Sequence, residues 1–233
     1  MKKTIIALAV AVAAVLLIRS LAFTSCTIPH SGEAPTLYAG DRVIVSRWSY
    51  GLRLPLEGLF GYHRVGECPV KRGDMVIFNN PAGKERLISD RALYVGRCIA
   101  LPGDTLMLNS EHLCSQSADA LPFVVPSKGS HVMVHPWNVK LLCNTVNKHE
   151  HRRATLRGDS LLIDGKPVAE VLFTKDYYWM LDSNIVNLAD SRLFGFVPHD
   201  HLVGRATLVW FSKDPKRSFW RGYRWNRMIR AVE

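Results

Sequence analysis

An apolar run near the N-terminus constrains this chain more than any other feature. Thr4 to Phe23 is a stretch of 20 residues with a single charge at Arg19, and Lys2 and Lys3 precede it. An apolar helix of that length crosses a hydrocarbon core of roughly 30 Å, and the lysines favour a cytoplasmic N-terminus. We therefore expect one transmembrane helix within residues 1–24. It would be a single-pass anchor in the cytoplasmic (inner) membrane, with the remaining chain on the external, periplasmic face.

A cleaved secretory signal is the alternative, because such signals also join a basic start to an apolar core. No A-x-A cleavage motif follows the apolar core, and this favours a retained anchor. Both alternatives place the rest of the chain outside the cytoplasm. The formal net charge of +10 therefore indicates contact with an anionic lipid bilayer and argues against nucleic acid as a partner.

After this run, apolar and polar residues mostly alternate, which is typical of β-strands. Strands are predicted within Arg42–Trp48, Lys71–Asn80, Ala92–Ala100 and Leu202–Phe211, and a hairpin is predicted at Asp164-Gly165. Many short strands separated by turns predict a mostly β fold.

The middle of the chain differs from this pattern. Leu113–Arg157 is polar and mixed, and Pro136–His149 has apolar spacing that permits a helix after Pro136. We expect a large antiparallel β-domain with an inserted smaller cap subdomain. The expected divisions are an anchor at 1–24, a β core at 25–108 and 159–212, a cap at 109–158, and a basic aromatic tail at 213–233.

The tail carries arginines at every third position, interleaved with aromatic residues. The arginines are Arg221, Arg224, Arg227 and Arg230. This pattern suits a membrane interface, with aromatic rings at headgroup level and guanidinium groups on phosphates. An aromatic-basic nucleic-acid patch and an ordinary solvated face remain the alternatives.

The five cysteines, at positions 26, 68, 98, 114 and 143, do not have the spacing of a zinc site, so no metal is expected. An oxidising compartment permits a disulfide bond. Cys114 with Cys143 is one possible pair, and five reduced thiols are the alternative.

Five segments in order resemble signal peptidase I, the membrane serine endopeptidase with a Ser/Lys dyad. They are Ile28–Val45, Arg72–Phe78, Tyr94–Asp104, Ile163–Val168 and Asp190–Pro198. The resemblance implies an antiparallel β-domain with a β-rich insertion whose catalytic end lies against the membrane. It also implies secretory preproteins as substrates, cut after small residues at the first and third positions before the bond, without any cofactor.

The resemblance puts the nucleophile three residues before the proline of Pro-Thr-Leu, and from Pro35 that position is Gly32. The nearby hydroxyl is Ser31, one residue early. Ser31 is therefore the candidate nucleophile if the loop holds an extra residue; otherwise it is an ordinary loop serine. His30 occupies the position of the family's side-chain oxyanion donor in the strict register.

The general-base lysine of the family immediately precedes an arginine, which here is Arg97, and its position is Gly96. Glycine has no side chain to accept a proton. A replacement base from elsewhere, such as His30 or His63, is the alternative, and each of these also fits an ordinary surface histidine.

Other family positions are retained. By the resemblance, Arg97, Asp190, Ser191 and Arg192 form a structural charge network beside the site. The same resemblance places Pro35 and Leu37 where a leader peptide binds.

Two functions follow from this pattern. The first is a leader-peptide endopeptidase that uses Ser31 and an unidentified base. The second is a catalytically impaired pseudo-peptidase that holds secretory preproteins or a partner signal peptidase at the membrane. The missing lysine at Gly96 favours the second function, because loss of an activating base typically costs several orders of magnitude in rate.

Overall fold

The computed structural model describes residue 4 and residues 22–28, 35–53, 62–85, 87–109, 120–182, 190–218 and 220–232. Most of the predicted anchor, together with His30, Ser31, Gly32 and Cys114, lies outside these residues. Within the described ranges, no helix has the length and apolar character needed to cross a membrane.

Two compact units make up the chain. The terminal unit consists of Met1–Pro69 with Val203–Glu233, and the middle unit consists of Val70–Leu202. The predicted boundaries of anchor, core, cap and tail remain predictions.

The terminal unit is built on antiparallel strands. They are β1 (Phe23–Thr27), β2 (Asp41–Ser46), β3 (Leu52–Arg53), β4 (Arg64–Val65), β16 (Leu202–Ser212) and β17 (Arg230–Ala231). β2 pairs with β1 on one side and with β16 on the other, and β17 pairs with β16. Val43 and Val45 are fully buried while Arg42 is exposed, so the alternation that predicted this strand is confirmed. β2 ends at Ser46 because a 3₁₀ turn follows over Arg47–Tyr50.

The middle unit contains most of the regular structure. Its strands are β5 (Met75–Asn79), β6 (Leu93–Ala100), β7 (Thr105–Leu108), β8 (Leu121–Val124), β9 (His131–Met133), β10 (Ala154–Arg157), β11 (Ser160–Ile163), β12 (Lys166–Val168), β13 (Glu170–Leu172), β14 (Tyr177–Leu181) and β15 (Val197–Pro198). Its helices are α1 (Val139–His149) and α2 (Ser191–Phe194). β6 pairs antiparallel with β5 and β14, and β14 also pairs with β15. The mostly β, antiparallel prediction is confirmed.

Smaller sheets and α1 complete the middle unit. β7 pairs with β8, β9 with β13, and β10, β11 and β12 form a three-stranded sheet. The hairpin predicted at Asp164-Gly165 joins β11 to β12, with φ of 52° and 81° at the two turn residues. Both values are positive, as the tight primed turn of a two-residue hairpin requires. The predicted helix is also confirmed: α1 buries Leu142 and Val146 against the core.

Candidate active site

Gly96 lies within β6, the strand that β5 and β14 flank in the middle unit. It pairs with Val76 of β5, and its neighbour Arg97 pairs with Leu181 of β14. The glycine is buried, and its φ is not in the left-handed region. A Cβ added at position 96 would lie 3.4 Å from Phe78 Cε1, from Met180 Cβ and from the Leu181 carbonyl oxygen. These are ordinary contacts, so the backbone does not demand glycine there.

The surroundings of Gly96 are apolar and aromatic. The ring of Phe78 lies edge-on to Tyr94 at 6.3 Å and to Phe194 at 5.8 Å, and Tyr94 stacks on Phe194 at 6.2 Å. Burial in such surroundings disfavours a charged amine and would lower the pKa of a lysine. The surroundings of position 96 would therefore favour the neutral form of a lysine, but glycine has no amine.

Asp190, Ser191 and Arg192 hold the end of β14, the strand whose backbone faces Gly96. The Asp190 carboxylate has no exposed surface, accepts the Asp182 N–H at 2.9 Å, and pairs with the Arg192 guanidinium. Ser191 Oγ accepts the Met180 N–H at 2.9 Å, and Arg192 Nη2 donates to the Asp182 carbonyl at 2.9 Å. These contacts fix the main chain of residues 180–182. Asp190 also accepts the Arg192 N–H, and it thereby caps α2.

Arg97 holds the turn before β5. Its Nη1 donates to the Gly73 carbonyl at 3.0 Å, and Gly73 N–H in turn donates to the Cys98 carbonyl at 2.7 Å. The role predicted for Arg97 in a charge network with Asp190 and Arg192 stays a prediction.

Pro35 and Leu37, the residues predicted to contact a leader peptide, belong to the terminal unit. Pro35 is exposed, whereas Leu37 has no exposed surface. The candidate nucleophile Ser31, with Gly32 and His30, lies outside the described residues. His63, considered above as a replacement base, is exposed just before β4.

The middle unit also contains a buried Asp–His pair, an arrangement that can supply a base. His201 Nδ1 lies 2.7 Å from Asp200 Oδ1, and His201 Nε2 lies 3.0 Å from Arg91 Nη1. Arginine can only donate, so Nε2 accepts and Nδ1 carries the proton that is donated to Asp200. Lys175 also binds Asp200, at 2.8 Å. Burial lowers the pKa of His201, and the contact with Arg91 occupies the nitrogen that a base would use.

His149, the last residue of α1, packs against this pair. Its ring centroid lies 5.2 Å from that of His201 and 6.2 Å from that of Tyr177. Within the described part of the chain, its Nε2 has no hydrogen-bond partner. Burial, followed by repulsion from His201, lowers the pKa of His149 to about 3.

The sequence pattern did not indicate a second buried carboxylate–arginine pair. Asp41 at the start of β2 has no exposed surface and binds Arg227 Nη2 at 2.9 Å. Arg227 is one of four equally spaced tail arginines, and their spacing does not distinguish the buried one from the others.

Two of the described cysteines, Cys26 and Cys98, are buried and are therefore poor nucleophiles. Burial raises the pKa of Cys26, and it raises the pKa of Cys98 to about 12. Cys143 is a free thiol in the structure, and Cys114, its suggested disulfide partner, lies outside the described residues. The described residues contain no cluster of His, Cys, Asp and Glu that is suited to a metal ion.

Comparisons with known proteins match nearly the whole chain. A family model described as Signal peptidase, peptidase S26 covers residues 1–211. A signal peptidase I of Buchnera aphidicola subsp. Schizaphis graminum is 26% identical, with 88% of this chain and 73% of that protein aligned. A signal peptidase I of Pseudomonas fluorescens is 28% identical over 88% of this chain and 70% of its own. The signal peptidase I of Haemophilus influenzae is 24% identical over 95% and 73%.

Proposed function

This chain belongs to the signal peptidase family, and from that membership we propose that it recognises the leader peptides of exported preproteins at a membrane. The family match over residues 1–211 is the observation that carries this proposal. It includes Ile28–Val45 and Tyr94–Asp104, the segments to which the resemblance assigns the nucleophile and the base. The proposal includes a single-pass anchor within residues 1–24 and a domain on the external face of the cytoplasmic membrane. Its partners would be secretory preproteins, the lipid bilayer and, in one form of the function, a partner signal peptidase.

Binding without cleavage is the form of this function that the site geometry supports best. A Ser/Lys mechanism needs a neutral amine to take the proton of the nucleophile. The strand position that the resemblance assigns to that amine is Gly96, and its neighbours Phe78 and Met180 are apolar. Asp190 and Arg192 still hold the adjoining end of β14. In this proposal the protein is a pseudo-peptidase whose scaffold is kept and whose base is lost.

Cleavage remains a second candidate, which the extent of the family match favours. In this form Ser31 would be the displaced nucleophile, and a base other than position 96 would activate it. The Asp200–His201 pair does not supply a free base in the described state, because Arg91 occupies His201 Nε2.

One experiment separates the two forms. The full-length protein is purified in detergent and incubated with a preprotein that carries alanine at the first and third positions before the bond. The same preprotein with arginine at these positions is the control for both binding and cleavage, since a shallow apolar pocket rejects a charge. Binding of the alanine preprotein without cleavage is the expected result. Cleavage that disappears in Ser31→Ala would overturn the pseudo-peptidase proposal, and failure to bind either preprotein would overturn both forms.

A gain-of-function variant tests whether only the catalytic atoms are missing. Gly96→Lys with Gly32→Ser restores the amine and the strict register of the serine, and we expect measurable cleavage of the alanine preprotein. Gly96→Met with Gly32→Ser is the matched control, because methionine is similar in length and has no amine. Equal activity in the two double variants would show that the amine at position 96 does not act as the base.

A further inference from the structure

A buried arginine of the C-terminal segment binds the main chain just before β2. Arg227 Nη1 donates to the Pro35 carbonyl at 3.2 Å, and Nη2 donates to the Thr36 carbonyl at 2.7 Å. Nη2 and Nε also donate to the Asp41 carboxylate, at 2.9 and 3.3 Å. One guanidinium group thus joins two consecutive carbonyls to the carboxylate that begins β2.

The carboxylate at the centre of this arrangement, that of Asp41, is fully buried and accepts further hydrogen bonds. Asp41 also accepts the N–H of Tyr38 at 3.0 Å and the hydroxyl of Ser212. The side chain of Arg227 is 9% exposed. A buried ion pair of this kind keeps its geometry, because displacing either partner leaves an uncompensated charge away from water.

Two tail arginines also hold the ring of Tyr38. Arg227 Cζ lies 4.3 Å from the centroid of the ring, and Arg224 Cζ lies 5.5 Å from it. Arg224 Nη1 donates to the Ala39 carbonyl at 3.0 Å. The planar fork of arginine can bind carbonyls, carboxylate and ring at once, which the single ammonium of lysine cannot do.

A cavity borders the segment Pro35–Tyr38 that Arg227 holds. A cavity of about 750 Å³ is lined by Pro35, Thr36 and Tyr38 on one side and by residues 226–231 on the other. Ile229 in this lining has φ of 59° and is 80% exposed. A β-branched residue is rare in the left-handed region, and such conformations persist where the surrounding structure imposes them.

From these contacts we propose that Arg227 is a positioning residue for leader-peptide binding. It fixes the carbonyls of Pro35 and Thr36, and thereby sets the position of the segment from Pro35 to Leu37, whose exposed residue Pro35 would meet the peptide. This proposal rests on the proposed function, because only a protein that binds leader peptides would use the position that the family resemblance assigns to Pro35. Arg227 acts through the segment and not by touching the reacting bond.

Substitutions at position 227 test the proposal. Arg227→Lys keeps the charge opposite Asp41 and loses the fork, whereas Arg221→Met changes an exposed arginine of the same tail that does not line the cavity and is the matched control. The double variant Asp41→Asn with Arg227→Met removes both buried charges, and it keeps the test valid if a single variant fails to fold. Thermal unfolding of each variant identifies those that remain folded.

Two measurements are made on the folded full-length variants in detergent. The first is amide hydrogen exchange of Thr36, Leu37 and Tyr38 without peptide. The second is the affinity for a synthetic leader peptide with alanine at the first and third positions before the bond, compared with the same peptide carrying valine. We expect at least tenfold faster exchange and at least tenfold weaker binding of the alanine peptide in Arg227→Lys and in the double variant. Discrimination between the two peptides should also decrease, and Arg221→Met should behave as the parent protein.

The outcomes separate this proposal from the proposed function. Folded variants with unchanged exchange and unchanged peptide affinity overturn the positioning role. Weaker binding with unchanged discrimination and unchanged exchange also overturns it, since the segment would then be held as in the parent protein. If the parent protein binds no leader peptide, the proposed function fails, and the exchange measurement alone decides whether Arg227 positions the segment.

Discussion

Two buried Asp–Arg pairs share the same chemistry and differ in the length of chain that they join. Asp190 and Arg192 are two residues apart, whereas Asp41 and Arg227 are 186 residues apart. Both carboxylates are fully buried and accept a backbone N–H as well as the guanidinium group. The first pair closes a local turn and caps α2, and the second ties the C-terminal segment to the strand β2. The comparison shows that a similar buried ion pair can either fix a local turn or hold distant segments together.

Removal of Asp190 should have the largest effect on stability. Asp190→Ala leaves the buried Arg192 without its carboxylate and the Asp182 N–H without its acceptor. We expect the free energy of unfolding to fall by about 3 to 5 kcal/mol, measured by urea denaturation. Ser191→Ala, which removes only the acceptor of the Met180 N–H, should cost about 1 to 3 kcal/mol. A loss in Asp190→Ala no larger than that of Ser191→Ala would contradict the importance of the local pair.

For the pair Asp41 and Arg227, removal of one charge should lower the free energy of unfolding more than removal of both charges. Arg227→Met alone leaves Asp41 buried and uncompensated, and should lower the free energy of unfolding by about 3 kcal/mol. The double variant Asp41→Asn with Arg227→Met removes both charges, and should lie within about 1 kcal/mol of the parent protein, since it leaves no uncompensated buried charge. A double-mutant cycle from urea denaturation measures this coupling. Additive losses would show that the two side chains contribute independently.

A third buried cluster, the titratable groups around His149, extends the comparison because it contains histidines. In the folded protein His149 is a neutral imidazole, because burial is the main cause that lowers its pKa to about 3. The folded pKa lies below the unfolded value of about 6.5. Its contribution to stability is therefore complete above about pH 6.5 and is lost as the pH falls towards 3.

The pH dependence can be measured directly. The groups around His149 are His201, Asp200, Lys175 and Lys148. By about pH 4.5, protonation of His149 in the unfolded chain should cost the folded protein about 2 to 3 kcal/mol. Urea denaturation at pH 7 and at pH 4.5 should show this loss in the parent protein. His149→Phe, which keeps a ring without a proton site, should lose less stability over the same interval; an equal loss would assign the effect to other groups.

The smallest effect on stability is expected at Gly96. Gly96→Ala places a methyl group at 3.4 Å from its nearest neighbours in a backbone conformation open to any residue. We expect a change in the free energy of unfolding within about 0.5 kcal/mol. Gly195→Ala is the contrasting variant: its φ is +85°, and its Cβ would lie 2.8 Å from Leu141 Cδ1. Thermal unfolding should show a clear loss in Gly195→Ala, and similar losses in both variants would indicate that Gly96 is structurally required.

The sequence predicted the parts of the fold that depend on neighbouring residues. Alternation gave β2, short apolar runs beside turn residues gave β5, β6 and β16, and apolar spacing gave α1, because burial leaves a pattern in the chain. The end of β2 at Ser46 was missed, since the 3₁₀ turn that follows it keeps an alternating pattern of residues. The pairing of β2 with β16 depends on contacts between distant segments, and no local pattern encodes them.

The candidate site was predictable to the same extent. The resemblance identified Gly96 and the triplet Asp190 to Arg192, because these positions belong to short segments that are recognisable in isolation. It did not indicate that the triplet holds the main chain of residues 180–182, nor that Arg227 is buried. The four tail arginines have the same spacing in the sequence, and only the structure shows that Arg227 is the one that binds the Asp41 carboxylate through Nη2 at 2.9 Å. The tautomer of His201 was likewise set by Arg91, which lies 110 residues away.

The contact between Arg227 and Asp41 also has a consequence for the order of assembly. Synthesis proceeds from the N-terminus, so residues 35 to 37 are made long before the guanidinium group that holds their carbonyls. Closing a loop of this length adds an entropic cost that local contacts do not have, and contacts of high sequence separation form slowly. The segment from Pro35 to Leu37 can therefore take its final position only after residue 227 has been made. In a nascent chain this segment would therefore lack its fixed position until residue 227 has left the ribosome.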